Sequence, residues 1–328
     1  MKASKKYKTT VIIPIYKAEV FIERCLNSVF DQDLDDVEYI LINDCTPDKS
    51  FEIAKQKANK SERKDDIKFI ENETNLGVGK TRRKGMLAAS GKYVIQIDSD
   101  DWIEPNMLST LYKKAEEEKS DVVTCDYYIS FLNGKKKYRK EEYKTDISHN
   151  IKGIMLGNLH PSFWNALIRR DFYLENDLMP SCEINMGEDF ETMFKVFLTT
   201  NKVSYVPLAF LHYTQYNTNS ITKTMNASHI EDTIRSIEIF EEILKPTQNE
   251  YTEEFRIMLV FWKKMFTLDK KYTHHFYEIR PDANKFRYVF SNNGYGLLQK
   301  ITISFMLIRM PFITRVIYKT YRWIKTKY

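Results

Sequence analysis

The sequence Tyr93-Val94-Ile95-Gln96-Ile97-Asp98-Ser99-Asp100-Asp101 joins a short apolar run to a cluster of three carboxylates. Similar apolar runs precede it at residues 11–15, 37–42 and 67–70, with helical patterns between them. Alternating strand and helix signals favour a mostly parallel sheet with helices on both faces. We therefore predict a Rossmann-like α/β fold for the first hundred residues.

Polar clusters follow each of the four predicted strands, at residues 16–19, 43–48, 71–79 and 98–101. The carboxyl ends of parallel strands meet at one edge of a sheet, and ligands of such sheets bind outside that edge. The sequence therefore predicts a binding site built from these four segments.

The acidic cluster that closes the fourth strand predicts a metal site. Carboxylates so close together repel one another, and a divalent cation relieves the repulsion; oxygen ligands suit Mg²⁺ or Mn²⁺. A cation there could bind a diphosphate and neutralise the charge of a leaving group. The alternative is that Asp100 or Asp101 caps a helix, although a cap needs one acid rather than three.

Composition and charge restrict the function classes. The chain has 328 residues, 43% of them hydrophobic and 29% charged, which is typical of a globular protein. The net charge is +5, but residues 297–328 alone contain seven basic and no acidic residues, so the basic excess does not indicate a nucleic-acid-binding surface. The four cysteines form no Cys-x-x-Cys pair, and this pattern favours a reducing compartment.

The C-terminal segment 297–328 predicts contact with an anionic membrane surface. No apolar run approaches the ~18 residues of a membrane-spanning helix, so we expect neither secretion nor integral insertion. A helical projection of residues 312–324 separates an apolar side from a basic side: Ile313, Val316, Ile317 and Ile324 against Arg315, Lys319 and Arg322. This pattern favours a protein of the cytoplasm, peripherally bound to the inner face of the cell membrane. The alternative is a terminal helix packed on the globule.

The turn Asn75-Leu76-Gly77-Val78-Gly79-Lys80-Thr81 contains the Gly-Lys-Thr of a nucleotide-binding P-loop. The P-loop pattern also requires a glycine at the position that Thr74 occupies. A P-loop NTPase is therefore a competing, weaker hypothesis. Arg82 and Arg83 follow at the predicted helix start, where a diphosphate is well placed to bind.

Five segments, taken in order, resemble glycosyltransferase family 2, whose members have the GT-A fold. They are residues 11–16, 42–50, 75–85, 98–101 and 187–190, and the resemblance spans roughly residues 9–222. Four positions depart from the family pattern: Lys17 stands where asparagine is common, Asn43 replaces an aspartate, Cys45 replaces a glycine, and Ala166 stands where lysine is frequent.

The resemblance implies an inverting glycosyltransferase of surface polysaccharide biosynthesis. It would move a sugar from a nucleotide-sugar, with a UDP-sugar favoured, to a hydroxyl of a glycan or lipid-linked oligosaccharide. Asp44 would accept a hydrogen bond from the uracil N–H, and Asn43 weakens the choice of uridine over guanosine. The residues implied in donor binding are Pro14, Tyr16, Glu19, Asp44, Asn75, Gly77, Arg82, Asp98 and Ser99.

The resemblance also implies the catalytic and acceptor residues. Asp189 would be the general base, and Asp100 would bind Mn²⁺ or Mg²⁺ with His212 as a possible further ligand. Trp164 and Glu188 would contact the acceptor. The alternatives are a buried Trp164, a structural His212, and two acids that merely favour a helix N-terminus.

We expect two regions along the chain. Residues 1–222 would form the GT-A domain, with a nucleotide-sugar-binding half at 1–105 and an acceptor-binding half at 106–222. Residues 223–328 would form a helical C-terminal extension. A non-catalytic sugar-nucleotide-binding protein of the same fold is the remaining alternative.

Overall fold

The computed structural model describes residues 5–182, 184, 187–217, 227–267, 269–292 and 296–327, without the side chains of 227–228 and 322–327. The chain divides into two compact units. The first comprises residues 1–149 and 161–224, and the second comprises residues 150–160 and 225–328. The predicted boundary at residue 222 and the two halves of the first region stay predictions.

One nine-stranded sheet organises the first unit. Its strands are β1 (Thr9–Ile15), β2 (Val37–Asn43), β3 (Ile67–Glu71), β4 (Tyr93–Gln96), β5 (Trp102–Ile103), β6 (Val122–Ser130), β7 (Lys136–Arg139), β8 (Ala166–Arg169) and β9 (Val203–Thr214). Their order is β3-β2-β1-β4-β8-β6-β9-β5, and β7 pairs with β6. The first four strands in this order are parallel, whereas β8 runs antiparallel to both of its neighbours. The predicted α/β fold is confirmed.

The helices follow the same order along the chain. They are α1 (Ile22–Phe30), α2 (Ser50–Lys60), α3 (Val78–Ala88), α4 (Met107–Glu118), α5 (Ile147–Met155), α6 (Arg170–Glu175), α7 (Glu188–Thr199), α8 (Ala227–Leu244), α9 (Thr252–Trp262), α10 (His275–Glu278), α11 (Phe286–Ser291), α12 (Leu297–Leu307) and α13 (Pro311–Lys327). The first three coincide with predicted helices. The predicted C-terminal helical extension is present as α8 to α13.

Successive residues of β1 point to opposite faces of the sheet, and each face receives a helix. Ile13 is buried in one cluster with Leu26 of α1. Ile12 faces α3 instead, where a Cβ built on Gly85 would lie 2.4 Å from its Cγ2 and 2.7 Å from Cδ1 of Ile42. Both faces of β1 are therefore covered, which explains its continuous apolar run.

The carboxyl ends of β1, β2 and β3 meet as predicted. The amide of Asp44 donates to the carbonyl of Ile15 (3.1 Å), and the amide of Asn72 donates to the carbonyl of Asn43 (2.9 Å). The polar segments that follow neighbouring strands are thereby held side by side. This edge of the sheet carries the candidate site.

In the second unit, consecutive helices pack through small and apolar side chains. Ile303 and Met306 of α12 are fully buried, and Thr314 of α13 donates its hydroxyl to the carbonyl of Thr302 (2.9 Å). No helix in the described part of the chain is both long enough and apolar enough to cross a bilayer.

Replacing Gly85 with alanine tests the contact between α3 and the sheet. The added methyl group would overlap Ile12 and Ile42. We expect a loss of about 1–3 kcal/mol in the free energy of unfolding, because overpacking outweighs the helix propensity of alanine. Urea unfolding measures the difference.

Gly296→Ala is the matched control. Nothing lies within 4 Å of the Cβ position at Gly296, and its φ is −70°, which alanine adopts without strain. We expect a change below about 1 kcal/mol there. A Gly85→Ala protein as stable as the control would contradict the close packing of α3.

Candidate functional site

Asp44 fixes the turn that precedes α3. Its Oδ1 accepts hydrogen bonds from the amide of Leu76 (2.8 Å) and from Nδ2 of Asn72 (2.9 Å), and its Oδ2 accepts one from the amide of Gly77 (3.1 Å). Gly77 has a φ of +84°, a conformation that favours glycine. A carboxylate has about four acceptor positions, so Oδ2 keeps capacity for one more donor. The predicted bond to a nucleotide base stays a prediction.

The other predicted donor-binding residues of this edge surround that turn. Tyr16 follows β1 and is 41% exposed. Glu19 is exposed, and its Oε2 accepts a hydrogen bond from the amide of Lys49 (3.1 Å). Asn75 donates from Nδ2 to the carbonyl of Asp44 (3.3 Å). Pro14 is half-buried within β1.

The three aspartates after β4 take three different positions. Asp98 is half-buried and pairs with Arg82. Asp100 is half-buried, and its Oδ2 accepts a hydrogen bond from Nδ2 of Asn217 (2.8 Å). Asp101 is fully buried; its Oδ1 accepts from the amide of Thr214 (2.7 Å), and its Oδ2 has no hydrogen-bond partner in the described part of the structure.

These aspartates do not cap a helix, so that alternative is wrong. The chain continues from Asp101 into β5, and α4 begins only at Met107. Burial, aided by the charge of Asp98, raises the pKa of Asp100 to about 6. Ser99 lies between the two acids and is nearly buried. Asp98 and Asp100 therefore offer two half-buried carboxylates, and carboxylate oxygens are ligands that suit a hard divalent cation.

Arg82 connects two acids that are distant in sequence. Arg82 is 4% exposed, and its guanidinium donates from Nη2 to Oδ1 of Asp98 and from Nη1 to Oε1 of Glu188, both at 2.5 Å. Burial alone would lower the pKa of Arg82, but the charges of Asp98 and Glu188 raise it above its ordinary value. Both Nη atoms of Arg82 donate to acids in this structure. The predicted contact of Arg82 with a diphosphate stays a prediction.

The N-terminus of α7 carries the predicted base. Gly187 precedes the helix with a φ of +92°. Glu188 is buried against Arg82; burial raises the pKa of its carboxyl, and the Arg82 guanidinium opposes the rise. Asp189 is half-buried, and its Oδ1 accepts a hydrogen bond from the amide of Phe190 (2.7 Å), which leaves Oδ2 for another partner. Arg82 therefore brings the acid after β4 and the start of α7 into one site.

His212 lies in the core rather than free to bind an ion. It is fully buried, its Nε2 lies 2.7 Å from Oε1 of Glu104, and its Nδ1 lies 3.4 Å from Oγ of Ser130. Its ring stacks between Trp102 and Tyr128. Both ring nitrogens have protein partners, so the structural alternative describes His212 better than a metal ligand does.

Trp164 is also a core residue. It is 3% exposed, and its ring packs against those of Tyr127 (4.7 Å between centroids) and Tyr213 (5.7 Å). A ring at this depth presents no face to a sugar. The predicted acceptor contact of Trp164 therefore does not fit its position, and the buried alternative describes it.

Sequence reasoning missed the residues that hold the aspartates in place. Arg24 of α1 donates to the carbonyl of Asp100 (2.9 Å), and Asn217 donates to its carboxylate. A signal for Arg24 existed, because a helix that follows a parallel strand begins at the ligand-binding edge of the sheet. No signal in the sequence marked Asn217.

The P-loop hypothesis fails on local structure. The amides of Leu76 and Gly77, which would turn towards a phosphate in a P-loop, donate to the carboxylate of Asp44. The turn before the helix is instead organised by Asp44.

The chain is similar in sequence to known glycosyltransferases. A family model described as Glycosyl transferase family 2 matches residues 10–175. The cholesterol galactosyltransferase of Borreliella burgdorferi is 30% identical over 274 residues, which cover 76% of this chain and 73% of that protein.

Two solved structures share the fold. Staphylococcus aureus TarS 1-349, in complex with UDP-GlcNAc, superposes with a TM-score of 0.68 and 21% identity over 96% of this chain and 92% of that one. The mannosyltransferase PcManGT of Pyrobaculum calidifontis, in complex with GDP-Man and Mn²⁺, superposes with a TM-score of 0.52 and 13% identity over 95% and 88%. The chain has the GT-A fold and is a glycosyltransferase that belongs to glycosyl transferase family 2.

Proposed function

We propose that this glycosyltransferase transfers a sugar from a nucleotide-sugar to a hydroxyl of a glycan or lipid-linked oligosaccharide, with inversion at the anomeric carbon. A UDP-sugar is the favoured donor. The observation that supports this most is the fork of Arg82, which joins Asp98 to the helix that carries Asp189. A group bound beside Asp98 would thereby lie near a carboxylate able to accept a proton. Surface polysaccharide biosynthesis is the setting that such an acceptor implies.

The donor would bind along the carboxyl edge of β1, β2 and β4. The exposed ring of Tyr16 and the carboxylates of Glu19 and Asp44 would hold the base and ribose. Pro14 would line the same part of the site. Asn75, Gly77, Arg82, Asp98 and Ser99 would line the path to the sugar. A UDP-sugar is favoured because Asp44 would accept a hydrogen bond from the uracil N–H, and because TarS, which shares the fold, binds UDP-GlcNAc.

A divalent cation, Mn²⁺ or Mg²⁺, would be held by Asp100 with help from Asp98. When bound, it would supply positive charge that stabilises the departing diphosphate. The chain's own contribution is to fix these carboxylates before the donor arrives. Asn217 does this for Asp100 by a hydrogen bond to its carboxylate, and Arg82 does it for Asp98 by an ion pair.

Asp189 would act as the general base. Its Oδ2 would accept the proton of the acceptor hydroxyl while that oxygen attacks the anomeric carbon. The bond between this carbon and the diphosphate oxygen breaks, and its electron pair leaves with the diphosphate. Glu188 cannot share the role in this arrangement, because its carboxylate is buried against Arg82. Its predicted contact with the acceptor therefore remains a proposal that requires Arg82 to release it.

Asp189→Asn tests the base. We expect kcat to fall by roughly 10²–10⁴, the usual contribution of a general base, while donor affinity stays at the wild-type value because the base acts on the acceptor. Transfer kinetics and donor titrations measure the two quantities separately.

Asp171→Asn is the control for that change, because it removes an exposed acid of α6 at no cost to the site. We expect wild-type kinetics from it. Normal turnover by Asp189→Asn would show that the base is another group.

A panel of UDP-, GDP- and dTDP-sugars with and without Mn²⁺ tests the donor. We expect a UDP-sugar to raise the melting temperature only when Mn²⁺ is present, since a ligand at 100 times its Kd stabilises the fold by about 2.7 kcal/mol. Asp100→Asn should abolish the Mn²⁺ dependence. Stabilisation by a GDP-sugar alone, or without metal, would contradict this donor and cofactor.

The segment 297–328 would bind the enzyme peripherally to the cytoplasmic face of the membrane. The apolar side predicted for α13 is divided in the structure: Val316 is 60% exposed, whereas Ile313 and Ile317 are half-buried, and the side chain of Ile324 lies outside the description. Phe312, one turn before Val316, is also exposed. An outward apolar strip beside only basic charges suits an anionic bilayer.

Phe312→Ser combined with Val316→Ser tests this surface. Each exposed apolar side chain that enters a bilayer contributes about 1.5–3 kcal/mol, so we expect sedimentation with phosphatidylglycerol-containing vesicles to weaken more than tenfold. The matched control is Phe131→Ser with Leu132→Ser, an exposed apolar pair elsewhere on the chain. Equal loss in both variants, or a wild type that stays in the supernatant, would refute the membrane assignment.

A further inference from the structure

A column of stacked side chains ends at Arg24. The Arg24 guanidinium carbon lies 3.7 Å from the ring centroid of Trp102, whose ring lies 4.5 Å from His212 at an interplanar angle of 1°. His212 stacks in turn on Tyr128 (4.9 Å), and Nζ of Lys136 lies 5.7 Å from the Tyr128 ring. Five segments of the chain contribute one member each. A guanidinium on the face of a tryptophan is attracted by the ring quadrupole, so the column holds Arg24 in one plane.

The hydrogen bonds of Arg24 all reach the segments that carry or support Asp100. Its Nη2 donates to the carbonyl of Asp100 (2.9 Å) and to Oγ1 of Thr214 (3.0 Å), and its Nη1 donates to the hydroxyl of Tyr216. Oγ1 of Thr214 donates to the same Asp100 carbonyl (2.6 Å). The backbone of Asp100 is therefore held by two donors, one of which Arg24 itself positions.

The side chain of Asp100 depends on the same contacts. Its Oδ2 accepts a hydrogen bond from Asn217, which directly follows Tyr216 in the chain. The hydrogen bond from Arg24 to Tyr216 therefore restrains the segment that carries Asn217. Loss of Arg24 would free the Asp100 backbone and the segment that orients its carboxylate. Lysine cannot replace these contacts, because its single ammonium lacks the planar fork that stacks on Trp102 while it bonds three groups.

We propose that Arg24 is a positioning residue that fixes Asp100 in the orientation required for cation binding. This inference rests on the proposed function, in which Asp100 holds the cation. Arg24 itself touches neither donor nor acceptor in this role. It acts through the carbonyl of Asp100 and through the segment from Thr214 to Asn217.

Mn²⁺ affinity tests the role without any need for turnover. Free Mn²⁺ is followed by its electron paramagnetic resonance signal while the full-length protein is titrated in saturating UDP. We expect Arg24→Met to raise the Kd for Mn²⁺ by about 10-fold or more, the usual effect of losing a residue that orients a metal ligand. Arg24→Lys should lose less, because the charge remains.

Arg63→Met is the matched control. Arg63 also donates to a backbone carbonyl, that of Gln32 (2.9 Å), and pairs with the exposed Asp35, so the same substitution removes a guanidinium and a backbone contact away from the acidic cluster. We expect it to bind Mn²⁺ like the wild type. Wild-type affinity in Arg24→Met, or an equal loss in Arg63→Met, overturns the inference.

Two further outcomes are also decisive. If Arg24→Met does not fold, Arg24→Lys replaces it: weaker Mn²⁺ binding at an unchanged melting temperature supports the role, and unchanged binding overturns it. If the wild type binds no Mn²⁺ in the presence of UDP, the proposed function fails and this inference fails with it. A wild type that binds Mn²⁺ while the Arg24 variants match it isolates the failure to Arg24.

Discussion

The buried guanidinium of Arg82 is the interaction on which the candidate site depends. It neutralises Asp98 after β4 and Glu188 at the start of α7, two acids separated by 90 positions of the chain numbering. A buried ion pair of this kind adds little net stability compared with a well-packed apolar core, but removing one partner costs about 3–5 kcal/mol because a charge is left unpaired. The main effect of these ion pairs is therefore on position. They set the distance between Asp98, which follows β4, and helix α7, which carries Asp189.

The surrounding structure makes that placement rigid. Asp44 organises the turn before α3 through two backbone amides and an asparagine, and Gly85 lets α3 lie directly on the sheet. Arg82 projects from the same helix, between these two restraints. The acids after β4 are restrained independently by the end of β9, through Thr214 and Asn217. Two rigid supports thus meet across one short ionic contact, which is how a site can be prepared before any ligand binds.

The sequence was sufficient for the parallel strands and the helices between them, because their apolar periodicity is a local property. It also predicted that Asp98 and Asp100 would lie at the carboxyl edge of the parallel strands, since alternating strands and helices run the strands in one direction. It could not show that His212 and Trp164 are buried, because a ring that stacks in the core and a ring that awaits a ligand have the same local sequence. Nor could it reveal Arg24, Thr214 and Asn217 as neighbours of Asp100. Those contacts depend on the pairing of β9 with β5, two strands that are far apart in the sequence.

The contact beneath Gly85 restricts how related chains can vary. A hydrogen atom at this position occupies all the space left between α3, Ile12 and Ile42. Any descendant that acquires a larger residue at position 85 must shorten one of those two isoleucines or tilt the helix, and a tilt would withdraw Arg82 from its acids. Positions 12, 42 and 85 should therefore covary as a volume-conserving trio across divergent sequences, even where every residue that touches substrate has changed.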